Sequence, residues 1–250
     1  MTHDSRGAGL RAGEADPRLT VISGAFGTGK TEIAINLALE LRSKVQDAVT
    51  LVDLDIVNLY FRSRQKAYEL EALGIRVISS VEGMENADLP ALSPEINACF
   101  DRKDGPVVFD LGGSDLGGVV AAYLHRGFAS EPCRHWLVVN PYRPFNETAA
   151  ATLDMAQRIE ARSRLPITGM IANPHLIAET TPAIIREGFA RVLEVSQYPL
   201  VCLAVMEEFY SPGAFDDLGV PVMVLRKQMK QPWEPGGIMM AGKRGKPRCP

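Results

Sequence analysis

Residues 24–31, GAFGTGKT, come straight after the apolar run 19–23, LTVIS, and lead into KTEIAINLALELRSK. The stretch fits G-x-x-x-x-G-K-[ST]. In that spacing, glycines let successive backbone N–H groups wrap an oxyanion, and the next helix points its positive end at it. Such a loop needs a buried strand before it and an amphipathic helix after it. The flanks supply both: Ile33, Leu37 and Leu41 lie on one stripe, with Ala34 and Ala38 beside it. The expected phosphate contacts are therefore Gly24, Ala25, Phe26, Gly27, Thr28, Gly29, Lys30 and Thr31. Lys30 is expected to reach the β- and γ-phosphates, and the Thr31 hydroxyl to ligate Mg²⁺.

The rest of the chain alternates short β-branched runs with helical patterns. Strands are expected at 19–23, 49–53, 75–78, 107–110, 136–140, 167–172, 200–205 and 222–225. Most are unbroken apolar runs, as strands buried on both faces of a parallel sheet require. Helical spacing with capping residues marks FNETAAATLDMAQRIEARSR, where Asn146 reads as a cap, and TTPAIIREGFARVLEVS. Ser93 reads as the cap of a further helix in the segment that holds Pro90 and Pro94. This order predicts an α/β, doubly wound fold. One domain is expected over residues 19–228, after a loose Gly-, Ala- and charge-rich arm at 1–18. Residues 229–250 form an irregular basic tail in which Trp233, Met239 and Met240 could anchor a partner.

At 250 residues the chain is long enough for one full core. Its net charge of -3 gives no general pull toward nucleic acid or anionic membrane. No apolar run reaches the length of a membrane span and the N-terminus lacks an apolar signal core, so a cytoplasmic protein is expected. Cys99, Cys133, Cys202 and Cys249 are scattered, which argues against a metal knuckle within one chain. Cys99 or Cys133 could meet its own copy across a dimer, although inert buried thiols are the plainer account. His3, His125, His135 and His175 are equally dispersed.

Two acidic strand ends stand out. LVDLDIVNLYFRSR puts Asp53 and Asp55 at the C-terminal end of the second strand, the usual ligand edge of such sheets. Asp53 could hold a magnesium-bound water, and Asp55 could orient an attacking one. GPVVFDLGGSDLGG ends a buried strand at Asp110, placed to touch Mg²⁺ through water. Its D-x-x-G form makes the Gly113 N–H a γ-phosphate sensor, with the neighbouring glycines letting the loop move.

VISGAFGTGKTEIAINLALEL, VTLVDLDIVNLYFRSR, VVFDLGG and ITGMIANPH together resemble the nucleotide core of the MinD/ParA/CobQ-like, SIMIBI-class P-loop ATPases, over about residues 19–225. The resemblance implies a P-loop NTPase fold with a mostly parallel sheet of seven or eight strands flanked by helices. It implies ATP with Mg²⁺, Asp55 as the water-positioning carboxylate and Asn173 as a contact to the base. VMEEFYSPG falls where such proteins close the adenine pocket. Those ATPases typically carry a second lysine directly after the opening glycine, which reaches across an ATP-bound dimer; here that position is Ala25, followed by Phe26. Arg62, Arg64 or Lys66 could supply the missing charge. The loop also resembles that of the metal-insertion GTPases, but those read guanine through N-K-x-D, and ANPHLIAE around Asn173 lacks it. ATP is therefore expected rather than GTP.

Three functions are compatible with these residues. The first is an ATPase switch whose ATP- and ADP-bound forms differ in docking a protein client, with an ATP-dependent homodimer as one form. The second is an ATP-dependent small-molecule ligase, with Arg143 or Arg62 meeting a substrate carboxylate. The third is a nucleotide-binding module that does not hydrolyse.

Overall fold

The computed structural model describes residues 16–55, 64–79, 93–113 and 115–229. Arg62, Pro90, the side chains of Arg64 and Lys66, the arm up to residue 15 and the tail from residue 230 lie outside the described residues.

Each apolar run becomes a strand: β1 Leu19–Gly24, β2 Val49–Asp53, β3 Ile75–Ser79, β4 Val107–Asp110, β5 Cys133–Val139, β6 Gly169–Ala172, β7 Leu200–Met206 and β8 Val222–Leu225. They form one sheet in the order β3-β2-β4-β1-β5-β6-β7-β8, and every pairing is parallel. Burial along β1, β2 and β4 is unbroken, because helices cover both faces.

The helices are α1 Lys30–Lys44, α2 Arg64–Ala72, α3 Pro94–Asp101, α4 Asp115–Tyr123, α5 His125–Phe128, α6 Ala149–Ser163 and α7 Pro182–Leu193. The alternation of strand side chains sorts them. Ile22, Leu51, Val108 and Val138 pack with Ile33 and Leu37 of α1 and Leu70 of α2. Val21, Val52 and Phe109 face Ile96 of α3, Val120 of α4 and Phe128 of α5. Leu137, Val139 and Leu203 face Met155 of α6 and Phe189 of α7. The chain steps outward from β1 to β2 and β3, returns to β4, and then continues on the far side of β1. That reversal opens a crevice at the C-terminal end of β1, where ligands of open α/β sheets bind.

Three local expectations change. Gly117 and Gly118 belong to α4 and not to a mobile loop. A Cβ on Gly117 would strike the Gly112 carbonyl, and one on Gly118 would lie 2.7 Å from Arg162 Cβ, so Gly117 lets α4 sit against the loop after β4 and Gly118 lets it sit close against α6. Asn146 does not cap α6: Thr148 does, its Oγ1 accepting Ala151 N–H at 3.1 Å, while Asn146 Oδ1 accepts Asn140 N–H at 3.2 Å. β5 starts at Cys133, three residues before the apolar run, because His135 is buried with its polar atoms satisfied. Ser93 does cap α3, accepting Glu95 N–H at 3.2 Å.

Candidate nucleotide-binding site

β1 delivers the glycine loop to the sheet's C-terminal edge. Gly29 is the residue before α1, with φ 91°, and no side chain caps the N–H groups of the first turn. A Cβ there would lie 2.5 Å from Asn173 Nδ2, so both backbone conformation and space demand glycine. The turn is closed by Thr28 Oγ1, which donates to Ala25 O at 2.9 Å. Lys30 Nζ donates to the same carbonyl at 3.0 Å. Asn173 Nδ2 donates to Thr28 O at 2.7 Å, tying the end of β6 to the loop.

The acidic residues converge on this loop. Asp53 and Asp110 are register partners at the ends of β2 and β4. Thr31 Oγ1 donates to Asp110 Oδ2 at 2.6 Å, while Asp110 Oδ1 is buried with no partner in the protein. Burial pushes the Asp110 carboxyl up to about 6; the Lys30 ammonium and the Thr31 hydrogen bond pull it back, and Asp55 adds to the rise. Burial likewise lowers Lys30, against the attraction of Asp110 and Asp55. Asp53 Oδ1 accepts Asp55 N–H at 2.9 Å, which fixes the turn that carries Asp55 inward. Gly112 lies against Asp55, and Gly113 against Lys30: a Cβ on Gly113 would be 2.9 Å from both Lys30 Nζ and Phe26 N.

One buried ammonium thus faces three buried carboxylates, Asp53, Asp55 and Asp110. An excess of negative charge in a dry crevice suits a cation. Among the described residues no group of three or more His, Cys, Asp or Glu side chains could hold a metal by itself. A magnesium ion sharing phosphate oxygens and waters needs no such cage.

Sequence spacing left Asn140 unnoticed and did not say where the side chains of Ala25, Phe26 and Arg143 lie. Ala25 packs into the core beside Leu137, Val139 and Met155, whereas Phe26 next to it is 72% exposed. Asn140 at the end of β5 accepts Tyr142 N–H at 3.1 Å and donates to His175 O at 2.9 Å, clamping the loops after β5 and β6 together. The Arg143 stem lies against Gly27. His175 and Phe209 of the VMEEFYSPG segment stand 6.1 Å apart, centroid to centroid. Burial raises the thiols of Cys99, Cys133 and Cys202, the last two to about 12, which suits inert packing residues. No helix of the described residues is long and apolar enough to cross a membrane.

No protein-family model matches the sequence, and no curated protein matches it. Solved structures do resemble the fold. Chloroplast FtsY from Physcomitrella patens superposes with a TM-score of 0.53 at 16% identity, covering 83% of this chain and 67% of that one. The signal recognition particle receptor FtsY from Elizabethkingia anophelis gives 0.51 at 17% identity, covering 84% and 67%. The cell division protein FtsY from Thermotoga maritima gives 0.50 at 22% identity, covering 82% and 69%. With its eight-stranded parallel sheet, strand-loop-helix entry and acidic strand ends, the chain has the α/β fold of the P-loop NTPases.

Proposed function

We propose that the chain is a Mg·ATP-binding, MinD/ParA/CobQ-like ATPase that works as a nucleotide-dependent switch on a protein client. The observation that carries the reading is the Asp110–Thr31 pair. A threonine hydroxyl and a buried carboxylate meet at 2.6 Å beside the glycine loop, and the second carboxylate oxygen has no partner in the protein. Nothing in the apo fold needs that oxygen, whereas a hydrated Mg²⁺ on the phosphates does. The donor set fits: Thr31 and Asp110 would hold the ion, and Asp53 would steady Asp55 and add charge. Bound Mg²⁺ would neutralise the phosphate charge that develops on hydrolysis.

The chain's own residues divide the remaining work. Lys30 and the N–H groups of residues 26–31 take the phosphates, and Asp55 orients water. Gly113 shares Lys30 and the Phe26 N–H with the place a terminal phosphate requires, so the loop after Asp110 is the element that distinguishes triphosphate from diphosphate. That difference would select the client-docking form and an ATP-dependent homodimer. Adenine is preferred because Asn173 is followed by Pro-His-Leu and not by the N-K-x-D pattern. Asn173 ties the loop through Thr28 and could also reach the base.

Calorimetric titration with Mg·ATP and Mg·GTP tests the reading. Wild type should bind ATP more tightly than GTP, and Lys30→Ala should lose tight binding of both. Unchanged affinity in Lys30→Ala would remove the loop from the argument, and a preference for GTP would remove adenine.

A further inference from the structure

Arg143 lies in the turn after β5, and its stem crosses the outer limb of the glycine loop. A Cβ placed on Gly27 would be 3.8 Å from Arg143 Cδ and 3.9 Å from Nε. That Nε is shielded from solvent and has no acceptor in the protein. A buried guanidinium N–H without an acceptor is destabilising. The fold nevertheless holds it there firmly. Arg143 N–H donates to Asn140 O at 3.0 Å, and Asn146 N–H donates to Arg143 O at 3.1 Å. Asn140 and Asn146 are both buried, and each carries further bonds that lock this turn. Between them Phe145 adopts φ 68°, a left-handed conformation costly for a bulky residue. Strain beside an over-determined turn indicates that the placement of Arg143 is used.

The chemistry of the missing acceptor is narrow. A guanidinium donates only, and its natural partner is an oxyanion. The neighbouring His175 points the same way: its Nδ1 accepts Ile177 N–H at 3.1 Å, so the neutral ring carries its proton on Nε2, and that atom too is buried without an acceptor. The limb that Arg143 crosses also bears the Ala25 carbonyl holding Lys30 Nζ at 3.0 Å. This is therefore the limb nearest the ammonium that serves the outer phosphates. On that limb Ala25, turned into the core, offers no charge.

We propose that Arg143 supplies from within the same chain the positive charge that Ala25 does not, donating to an outer-phosphate oxygen of the bound nucleotide. The inference rests on the nucleotide reading above. Arg143 thereby takes the part of an arginine finger held in cis. It favours triphosphate over diphosphate, because its limb faces the end of the phosphate chain.

The test measures affinity for the Mg·diphosphate and the Mg·imidotriphosphate of the one base that wild type prefers, ADP and its imidotriphosphate if adenine is preferred. It uses wild type, Lys30→Ala, Arg143→Met and Arg143→Lys, with thermal unfolding of each nucleotide-free protein. Arg143→Met should weaken the imidotriphosphate about tenfold or more, as loss of a charge-assisted hydrogen bond does, with a smaller loss for the diphosphate. Arg143→Lys should restore part of it. Nucleotide-free Arg143→Met should melt no lower than wild type, since it loses an unpartnered donor and keeps the stem's bulk. Unchanged imidotriphosphate affinity in Arg143→Met, while Lys30→Ala loses it, would overturn the proposal and leave the nucleotide site standing. Equal losses for both nucleotides with a lower melting temperature would make Arg143 a packing residue and overturn it as well. If wild type binds neither nucleotide, the site reading fails first and this inference with it.

Discussion

His135 sits on β5 beneath the glycine loop, 1% exposed, with both ring nitrogens engaged. Nδ1 faces Leu165 O at 3.2 Å and must carry the proton; Nε2 therefore accepts the Ser23 hydroxyl at 2.7 Å. Burial lowers its pKa from the ordinary 6.5 to about 4, with the Leu165 carbonyl and Glu160 opposing the shift. The folded-state value lies below the unfolded one, so the unfolded chain binds more protons between about pH 6.5 and 4. Stability from this residue is complete above pH 6.5 and is lost on acidification through that window. Between pH 7 and pH 5 the loss should be about 2 kcal/mol. Asp110, with its raised pKa, titrates in the opposite sense, so the test is a difference. Wild-type stability minus that of His135→Gln, from urea unfolding, should fall by about this amount over that range. A pH-independent difference would mean that His135 titrates alike in the folded and unfolded chain, so that burial does not oppose its charge. No local spacing announced the burial of this histidine, the clamp at Asn140 or the exact reach of Arg143, because their partners are backbone atoms or residues distant along the chain. Lys30 and Thr31 could be placed by the local spacing of a phosphate loop, and Asp110 because an apolar strand ends at it.

At the scale of elements, eight strands could be read because most show a continuous apolar run, which in β1, β2 and β4 corresponds to unbroken burial. Their ends were less clear wherever a polar residue is buried and satisfied, as at the start of β5. The helix α4 was hidden by Gly117 and Gly118, which lower helix propensity yet remove the Cβ atoms that would hold α4 away from Gly112 and from α6 respectively. Gly188 of α7 does similar work nearer the site. A Cβ there would strike Pro174 Cβ and lie 2.9 Å from Tyr142 Cε2. Pro174 follows Asn173, and Tyr142 precedes Arg143, so α7 is the floor on which both loops rest. Tyr142 Oη also donates to Ile184 O of α7 at 2.7 Å. Gly188→Ala should destabilise the fold by about 1–3 kcal/mol through overpacking. It should also weaken triphosphate binding without touching a ligand atom. Calorimetry and thermal unfolding of the variant check both effects; wild-type values for both would show that the loops yield freely and that α7 does not position the site.

At the scale of the whole molecule, the reversal of strand order beside β1 gathers the glycine loop, the acidic ends of β2 and β4 and the loops after β5 and β6 at one edge. Among the described residues, Phe26 at 72% and Phe145 at 55% stand exposed on the same side of that edge. Between them a cavity of about 160 Å³ is walled by Ala25, Gly112, Gly113 and Met155, with Arg158 at its side. Burying a phenylalanine contributes about 1.5–3 kcal/mol, and a two-fold axis would bury each of them twice. The cavity wall includes Gly113, which lies against Lys30 and the Phe26 N–H, so its shape should depend on whether a terminal phosphate occupies the loop. Self-association through this edge would then be linked to the triphosphate, and by reciprocity a dimer would bind triphosphate more tightly than the monomer. Light scattering should give the mass of one chain with Mg·ADP and of two with the Mg·imidotriphosphate. Phe145→Asp, which removes the exposed ring outside the glycine loop, should stay at one chain in both states. One mass throughout for wild type would place the switch inside a single subunit, and the exposed aromatics would then belong to the surface that meets the client.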